Sequence, residues 1–477
     1  MTTAVGTDAH IDLKYPRQQF AFAGQSYGVR TSMGQGGKNS STGNCERAAD
    51  GYYLHMDTRS THRRSAVFAA LLWLLWLVVP PVGATDWPQW RGPDRDGRAP
   101  GQPWTDSLAG FEIRWRVPLG KGYPGPLVAV DRVFVVETVD DETVGVRALD
   151  RKTGQVLWQI TWPATGNVPF FARSNGDWVR STPAWDGKAL YVGDMSEVLV
   201  ALDGATGAEL WRVDFPARYD TPVPDFGFAS SPLVVGNFLY IQAANSLVKL
   251  DKHTGRSIWR GLEIESGIAS NGAFSSPILA NLVGQEQLVA INRDALYGVD
   301  VEDGRALWGQ PLPHFRGMHI LTPLVWGDAI FTSPYRQRSY RIDVQSSSAG
   351  LSTVVAWDNK SSGYMSSPVV IGDYAYLHLG NGRVECIDLA TGDSRWRSRR
   401  SFGKYWSMVW RQNRILALDS DGVLYLLAAN PDRFELLDEL AVADAETWGH
   451  LAVSGDEFFV RELEAIAAWR RSDTSAE

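Results

Sequence analysis

The chain has 477 residues, with 54 acidic against 46 basic side chains, 20 tryptophans and two cysteines. A net charge of −8 argues against nucleic acid or an anionic membrane surface as a partner. Two cysteines cannot build a disulfide framework, and 477 residues would suffice for two or three domains unless one repeated unit fills the length.

Residues 1–55 contain GQGGKNSSTGNCERAADG and no periodic apolar pattern, so they are expected to be disordered, with translation beginning at Met56. Residues 56–84 then read as a secretory signal peptide. Arg63 and Arg64 precede an apolar run from Ala66 to Val79, and Val82-Gly83-Ala84 supplies small residues at the exit. The competing reading, an uncleaved anchor, is disfavoured because the run is shorter than the ~20 residues of a span and Pro80 and Pro81 follow it. Removal of 1–84 takes more basic than acidic residues and leaves an acidic mature chain without a stable membrane span. Cys45 leaves with it, Cys386 remains as a buried small hydrophobe, and no cysteine near Ala84 marks a lipid anchor. A periplasmic or secreted monomer is expected. Residues 85–109, which include DWPQWRGPDRDG, form an N-terminal extension.

From Gly110 onward one phrase returns: ALDRKTGQVLW from Ala148, ALDGATGAELW from Ala201, KLDKHTGRSIW from Lys249, GVDVEDGRALW from Gly298 and CIDLATGDSRW from Cys386. Short apolar runs separated by turn signals precede each copy, so each unit predicts a four-stranded antiparallel sheet. Gly154, Gly207, Gly255, Gly304 and Gly392 are placed to supply positive φ in the turn before the last strand. Asp150, Asp203, Asp251, Asp300, Asp343 and Asp388 are expected to cap those turns and not to form a ring of acids. Weaker copies start at Arg341 and Ala417; one starting at His450 supplies three strands, and GFEIRWRVPL from Gly110 supplies the missing fourth. The period predicts an all-β, eight-bladed β-propeller over 110–471, closed by both termini in one blade, with 472–477 as a tail. Trp115, Trp158, Trp211, Trp259, Trp308, Trp357 and Trp396 are expected to be wedges docked between blades.

Before each inner strand stands VRSTP, FASSP, AFSSP, ILTP or MSSP, and these segments ring one mouth of the channel. The residues leading into them diverge where the framework converges. Tyr123, Trp178, Arg180, Phe274, His319, Tyr364, Tyr405, Trp406, Trp448 and His450, with Phe228, Met365 and Lys404 among them, form the candidate ligand-binding mouth; the alternative is that they merely plug the channel. His253, His314, His319, His378 and His450 are scattered, so no metal site is expected, and no GxSxG, Walker or kinase signature occurs. The basic run Arg395 to Arg400 reads as a solvated blade edge.

The phrase Ala-x-Asp-x-x-Thr-Gly-x-x-x-Trp, clearest at Ala148–Trp158 and Ala201–Trp211, resembles the tryptophan-docking motif of PQQ-like eight-bladed propellers over about Gly110 to Arg470. That family includes quinoprotein alcohol dehydrogenases, the outer-membrane assembly scaffold BamB and secreted bacterial propellers, whose opening DWPQWRGPDRDG resembles. The resemblance implies fold more than function. Quinoprotein dehydrogenases hold their cofactor between a Trp floor and a disulfide of adjacent cysteines, with Ca²⁺ on Glu, Asn and Asp. This chain has no adjacent cysteine pair, so no catalytic residue is carried over and no cofactor is expected. The function expected is a non-catalytic exported binding or scaffolding module for a protein or small-molecule partner. The alternatives are a PQQ- and Ca²⁺-dependent oxidoreductase with an atypical site and a BamB-like assembly subunit.

Overall fold

A computed structural model describes residues 86–166, 168–170, 172, 176–264 and 272–472. The expectations for 1–55, for the signal segment 56–84 and for 473–477 lie outside them. Among the described residues no helix is long and apolar enough to cross a membrane.

Eight four-stranded antiparallel sheets form the ring. Blades 1 to 7 cover 127–163, 184–214, 233–261, 278–311, 324–359, 369–397 and 406–441, each with its strands in chain order from the axis outward. Blade 8 combines 452–471 with the N-terminal strand Phe111–Pro118, which pairs antiparallel with Ala465–Arg471 and sets Phe111 opposite Arg471. The two termini therefore share a blade, as the repeat count requires. Neighbouring blades cover both faces of the middle strands, so Ala189–Gly193 is buried at every position, whereas the outer strand Glu209–Asp214 is largely exposed.

The repeated phrase explains how blades adhere. Trp158 donates its indole N–H to Gly204 O of blade 2 at 3.0 Å, and its ring lies on Gly207, where a Cβ would stand 2.6 Å from it. Trp115, Trp211 and Trp357 repeat both contacts on the next blade's turn, donating to Arg151 O, Lys252 O and Leu389 O and covering Gly154, Gly255 and Gly392. Trp259 does the same with Val301 O and Gly304, and Trp396 donates to Asn430 O. The turn glycines have φ between 67° and 81°. Asp150 Oδ1 accepts from Lys152 N, Thr153 N and Thr153 Oγ1, which makes it the turn cap that was expected.

Trp308 departs from the expectation. It donates to Gln287 Oε1 in its own blade at 2.6 Å, over Gly298, where a Cβ would meet its Nε1 at 2.1 Å. The reason lies in blade 5, whose long hairpin around Ser347–Gly350 has no Asp-x-x-Thr-Gly turn to receive an indole. Asp343 in that blade likewise caps no turn and pairs with Arg341 at 2.7 Å.

At the inner ends a hoop of hydrogen bonds links the ring. Gly125 N donates to Thr182 Oγ1, Thr182 N to Ser231 Oγ, Ser231 N to Ser276 Oγ, Thr322 N to Ser367 Oγ, Trp406 N to Ser366 Oγ and Leu451 N to Ser407 Oγ, all within 3.1 Å. Ser275 Oγ donates to Leu321 O, and Arg461 Nη2 joins blade 8 to Gly120 O at 2.6 Å. The Ser/Thr-Pro repeats are therefore framework: each satisfies a buried backbone or hydroxyl group of an adjoining blade.

The N-terminal extension is a stopper in this ring. Trp87 exchanges two backbone bonds with Val128, Pro88 O accepts from Trp185 N, and Gly97 and Ala99 bond the backbone of Trp410. Arg95, fully buried, donates to Ser231 O at 3.0 Å and Pro232 O at 2.7 Å, while Arg91 reaches Pro368 O. Blades 1, 2, 3, 6 and 7 are thus bridged by one segment.

Candidate functional site

Above the stopper and inside the mouth lies a cup of about 490 Å³. Its floor includes Trp90, whose indole donates to Thr322 Oγ1 at 3.0 Å and whose ring meets His450 at 4.9 Å. The wall is built by the residues that lead into the inner strands, so rigid hoop positions carry variable side chains.

Aromatic rings run around the wall. Trp448 stacks on Tyr123 at 5.0 Å and meets Tyr405 at 3.8 Å; Tyr405 meets Tyr364 at 5.7 Å, Tyr364 meets Tyr335 at 5.4 Å, and Tyr335 meets Phe315 at 6.2 Å. On the far side Phe226 and Phe274 lie 5.4 Å apart, and the Arg180 guanidinium bridges the gap, 5.3 Å from the Tyr123 ring and 5.6 Å from Phe226. Arg316, Arg336 and Lys404 are further charged lining residues, and among the described residues no Asp, Glu, Asn or Gln lines the cup.

Burial governs the titrating groups. It pushes the Tyr405 phenol up to about 12, raises that of Tyr123 further, and lowers the Arg180 guanidinium. Burial, with Arg91 adding repulsion, pulls His450 down to about 3, while its Nδ1 lies 2.9 Å from Leu451 O. At neutral pH the cup therefore holds cations, neutral phenols and a neutral imidazole.

Of the residues singled out from sequence, Tyr123, Arg180, Phe274, Tyr364, Tyr405, Trp406, Trp448 and His450 line the cup, with Met365 and Lys404. Three do not. Trp178 stands behind Tyr123 at 5.6 Å with the Lys121 ammonium 5.0 Å from its ring. His319 is buried behind the wall, near His314 at 6.0 Å, and burial holds it at about 4. Phe228 packs against Phe215 in the core between blades 2 and 3. The structure adds Trp90, Phe226, Phe315, Arg316, Tyr335 and Arg336. A signal for four of these was available: Phe315-Arg316 and Tyr335-Arg336 repeat an aromatic-arginine pair, each with the arginine at positive φ.

The family model described as outer membrane protein assembly factor BamB matches residues 110–179 and 141–398. The chain belongs to this BamB-like family of PQQ-type propellers. It is similar to BamB of Yersinia pestis, with 22% identity over 307 residues covering 59% of this chain and 75% of that one. It is also similar to the polyvinylalcohol dehydrogenase of Sphingopyxis sp., with 28% identity over 198 residues that span 37% of this chain and only 28% of that one. Among solved structures, BamB from Moraxella catarrhalis superposes with a TM-score of 0.55 at 15% identity, over 77% of this chain and all of that one. The quinohemoprotein alcohol dehydrogenase ADHIIG from Pseudomonas putida gives 0.58 at 14%, over 82% and 81%. At such identities the superpositions establish a shared ring and nothing about chemistry.

The BamB-like cup offers a poor seat for a Ca²⁺-bound quinone. Ca²⁺ takes six to eight oxygen ligands, typically including carboxylates, and among the described residues the lining has no carboxylate. Among the described residues no cluster of three His, Cys, Asp or Glu side chains could hold a metal. Cys386 lies in the middle of blade 6 opposite Trp396, where burial drives its thiol up to about 12.

Proposed function

We propose that this BamB-like propeller is a non-catalytic, exported binding and scaffolding module that receives a protein segment or small molecule in its cup. The observation that carries the proposal is the contrast between the hoop, where the repeats converge on Ser/Thr, and the cup beside it, where residues such as Arg180, Phe274, Met365 and Tyr405 diverge into rings and cations. A stiff base with variable side chains presents a preorganised surface, so association loses little to ordering.

The hydroxyls in the wall support a non-catalytic reading. Ser367 Oγ and Ser407 Oγ already accept hoop N–H groups, and Thr447 Oγ1 donates to Asp419 O. An imidazole at about 3 and a phenol at about 12 are both far from the range of an effective general base at neutral pH.

The test is a thermal-shift screen of quinones, sugars and organic acids on the wild type and on a Tyr405→Ala/Trp448→Ala variant. Ligands should raise the wild-type melting temperature by a few degrees and leave the variant unmoved. Alcohol-dependent dye reduction in the presence of PQQ and Ca²⁺ would replace this reading with an oxidoreductase. The BamB relatives favour one specific form of the scaffold, a subunit of an outer-membrane assembly, and that form requires a β-barrel membrane protein to co-purify from envelope extracts.

A further inference from the structure

Taking the cup as the binding site of the preceding section, we infer that its ligand is a small organic anion with a flat apolar body, bound without a metal ion. Charge is the first ground. Outside the cup arginines pair with carboxylates, as Arg147 does with Glu137 at 2.6 Å, Arg151 with Glu457 at 2.7 Å and Arg116 with Glu462 at 2.6 Å, or give their N–H groups to buried carbonyls, as Arg95 and Arg461 do. In the cup the pattern stops: among the described residues Arg180, Arg336 and Lys404 make no ion pair and lie instead against ring faces. Lys404 Nζ stands 5.1 Å from the Tyr405 ring, and the Arg336 guanidinium lies 5.3 Å from Phe315 and 5.5 Å from Tyr335. Ring faces hold a cation in place but leave its charge unneutralised. The carboxylates whose fields reach the wall, Glu446 at Tyr123 and Tyr405 and Asp177 at Arg180, are not themselves lining residues.

The second ground is the unequal supply of donors and acceptors. The indole N–H groups of Trp406 and Trp448 are buried in the wall without a protein acceptor. Those nitrogens are closed off from the cup, so the polar groups a ligand meets are the cations, phenol hydroxyls that both donate and accept, and a neutral imidazole: among the described residues positive charge is supplied and negative charge is not. Among the described residues the lining offers a cation no carboxylate, whereas a carboxylate or sulfonate is met by guanidinium, ammonium and phenol donors. The third ground is shape. Trp90 closes the floor, the space is that of a small-molecule site, and the ring faces suit a planar body.

The experiment titrates the mature chain with 2-naphthoate, its neutral analogue 2-naphthamide, the cationic 2-naphthylmethylammonium, and inorganic phosphate, using tryptophan fluorescence and calorimetry. Naphthoate should saturate one site per chain, with the amide at least about tenfold weaker, the amine not binding, and equimolar phosphate failing to displace naphthoate. Lys404→Met and Arg336→Gln should each weaken naphthoate by roughly three- to tenfold and leave the amide unchanged, with melting temperatures held. Amide or amine binding as tight as naphthoate, or variants that bind it normally, overturns the anion and leaves the cup as a binding site. If none of the naphthyl probes binds, the inference and the reading of the cup fall together.

Discussion

Each docking contact consists of an indole, a carbonyl and a glycine that must remain bare. Gly207 and Gly236 separate the two roles of glycine, because both have positive φ, at 76° and 56°, but only Gly207 lies under a ring. Alanine at Gly236 meets open space and should cost about 1 kcal/mol for its backbone alone. Gly207→Ala adds a Cβ 2.6 Å from Trp158 and should cost about 2–4 kcal/mol in chemical denaturation; equal costs would show that the ring is not seated there. The buried histidines set the response to acid. Burial holds His319 and His378 at about 4 and His450 at about 3, against 6.5 for an unperturbed ring. Below pH 6.5 the unfolded chain thus binds more protons than the folded one, so their stabilising contribution is complete above pH 6.5 and is lost as pH falls toward 4. The slope is up to ~1.4 kcal/mol per pH unit for each ring. Glu197, pushed up to about 8 by burial, acts oppositely between pH 4.5 and 8, and burial raises Asp86, Asp96 and Asp194 in the same sense, so the share of a ring is read by difference. Between pH 6.5 and 4.5 the wild type should lose stability relative to His378→Gln by about one proton's slope, read as the difference between their denaturant midpoints.

At the level of elements, the stopper braces the ring through backbone carbonyls at the entries to its blades, Ser231 O, Pro232 O and Pro368 O among them. Arg95→Ala would leave Ser231 O and Pro232 O without their guanidinium and open a void at the axis. A loss of about 2–4 kcal/mol is expected, read as a lower melting temperature. A chain that begins at Gly110 should melt lower still, and it should bind cup ligands more weakly because Trp90 is gone. The stopper's role could not be read from DWPQWRGPDRDG. That segment has no period, and its partners are mostly main-chain atoms of five blades, which side-chain patterns do not encode. The blades were legible for the opposite reason: a strand, turn and tryptophan recurring at a fixed offset can bury both faces only by stacking. The cup was half legible, since residues entering the inner strands share a position in the repeat. Phe226 precedes its hoop motif by several residues, and Tyr335 and Arg336 come from the connection between Ala329–Thr332 and Ser339–Ser347, where the repeat assigns no common position. Trp308 was misread because its docking depends on a turn in the following blade that had been lost.

For the molecule as a whole, closure decides whether eight sheets behave as one body. Phe111–Pro118 covers the edge of Ala465–Arg471, Trp115 docks on the turn of blade 1, and Arg116 pairs with Glu462, so this one strand completes blade 8 and seals its joint with blade 1. Arg461 and Glu137 reinforce the same joint: Arg461 donates to Ala465 O at 3.0 Å and Gly120 O at 2.6 Å, and Glu137 accepts from Gly120 N. Two truncations distinguish this role from that of the stopper. A chain beginning at Gly110 keeps all eight blades complete and should elute as the full chain does, with one unfolding transition at reduced temperature. A chain beginning at Leu119 leaves Ala465–Arg471 with unpaired N–H and C=O groups, and the Gly154 turn loses its indole. Exposed strand edges pair with other chains, so this shorter protein should self-associate in light scattering and unfold over a broad range as blades detach from the open end. If both truncations eluted and melted alike, the strand would be an appendage, and rigidity of the cup would have to come from the hoop and the docked tryptophans alone.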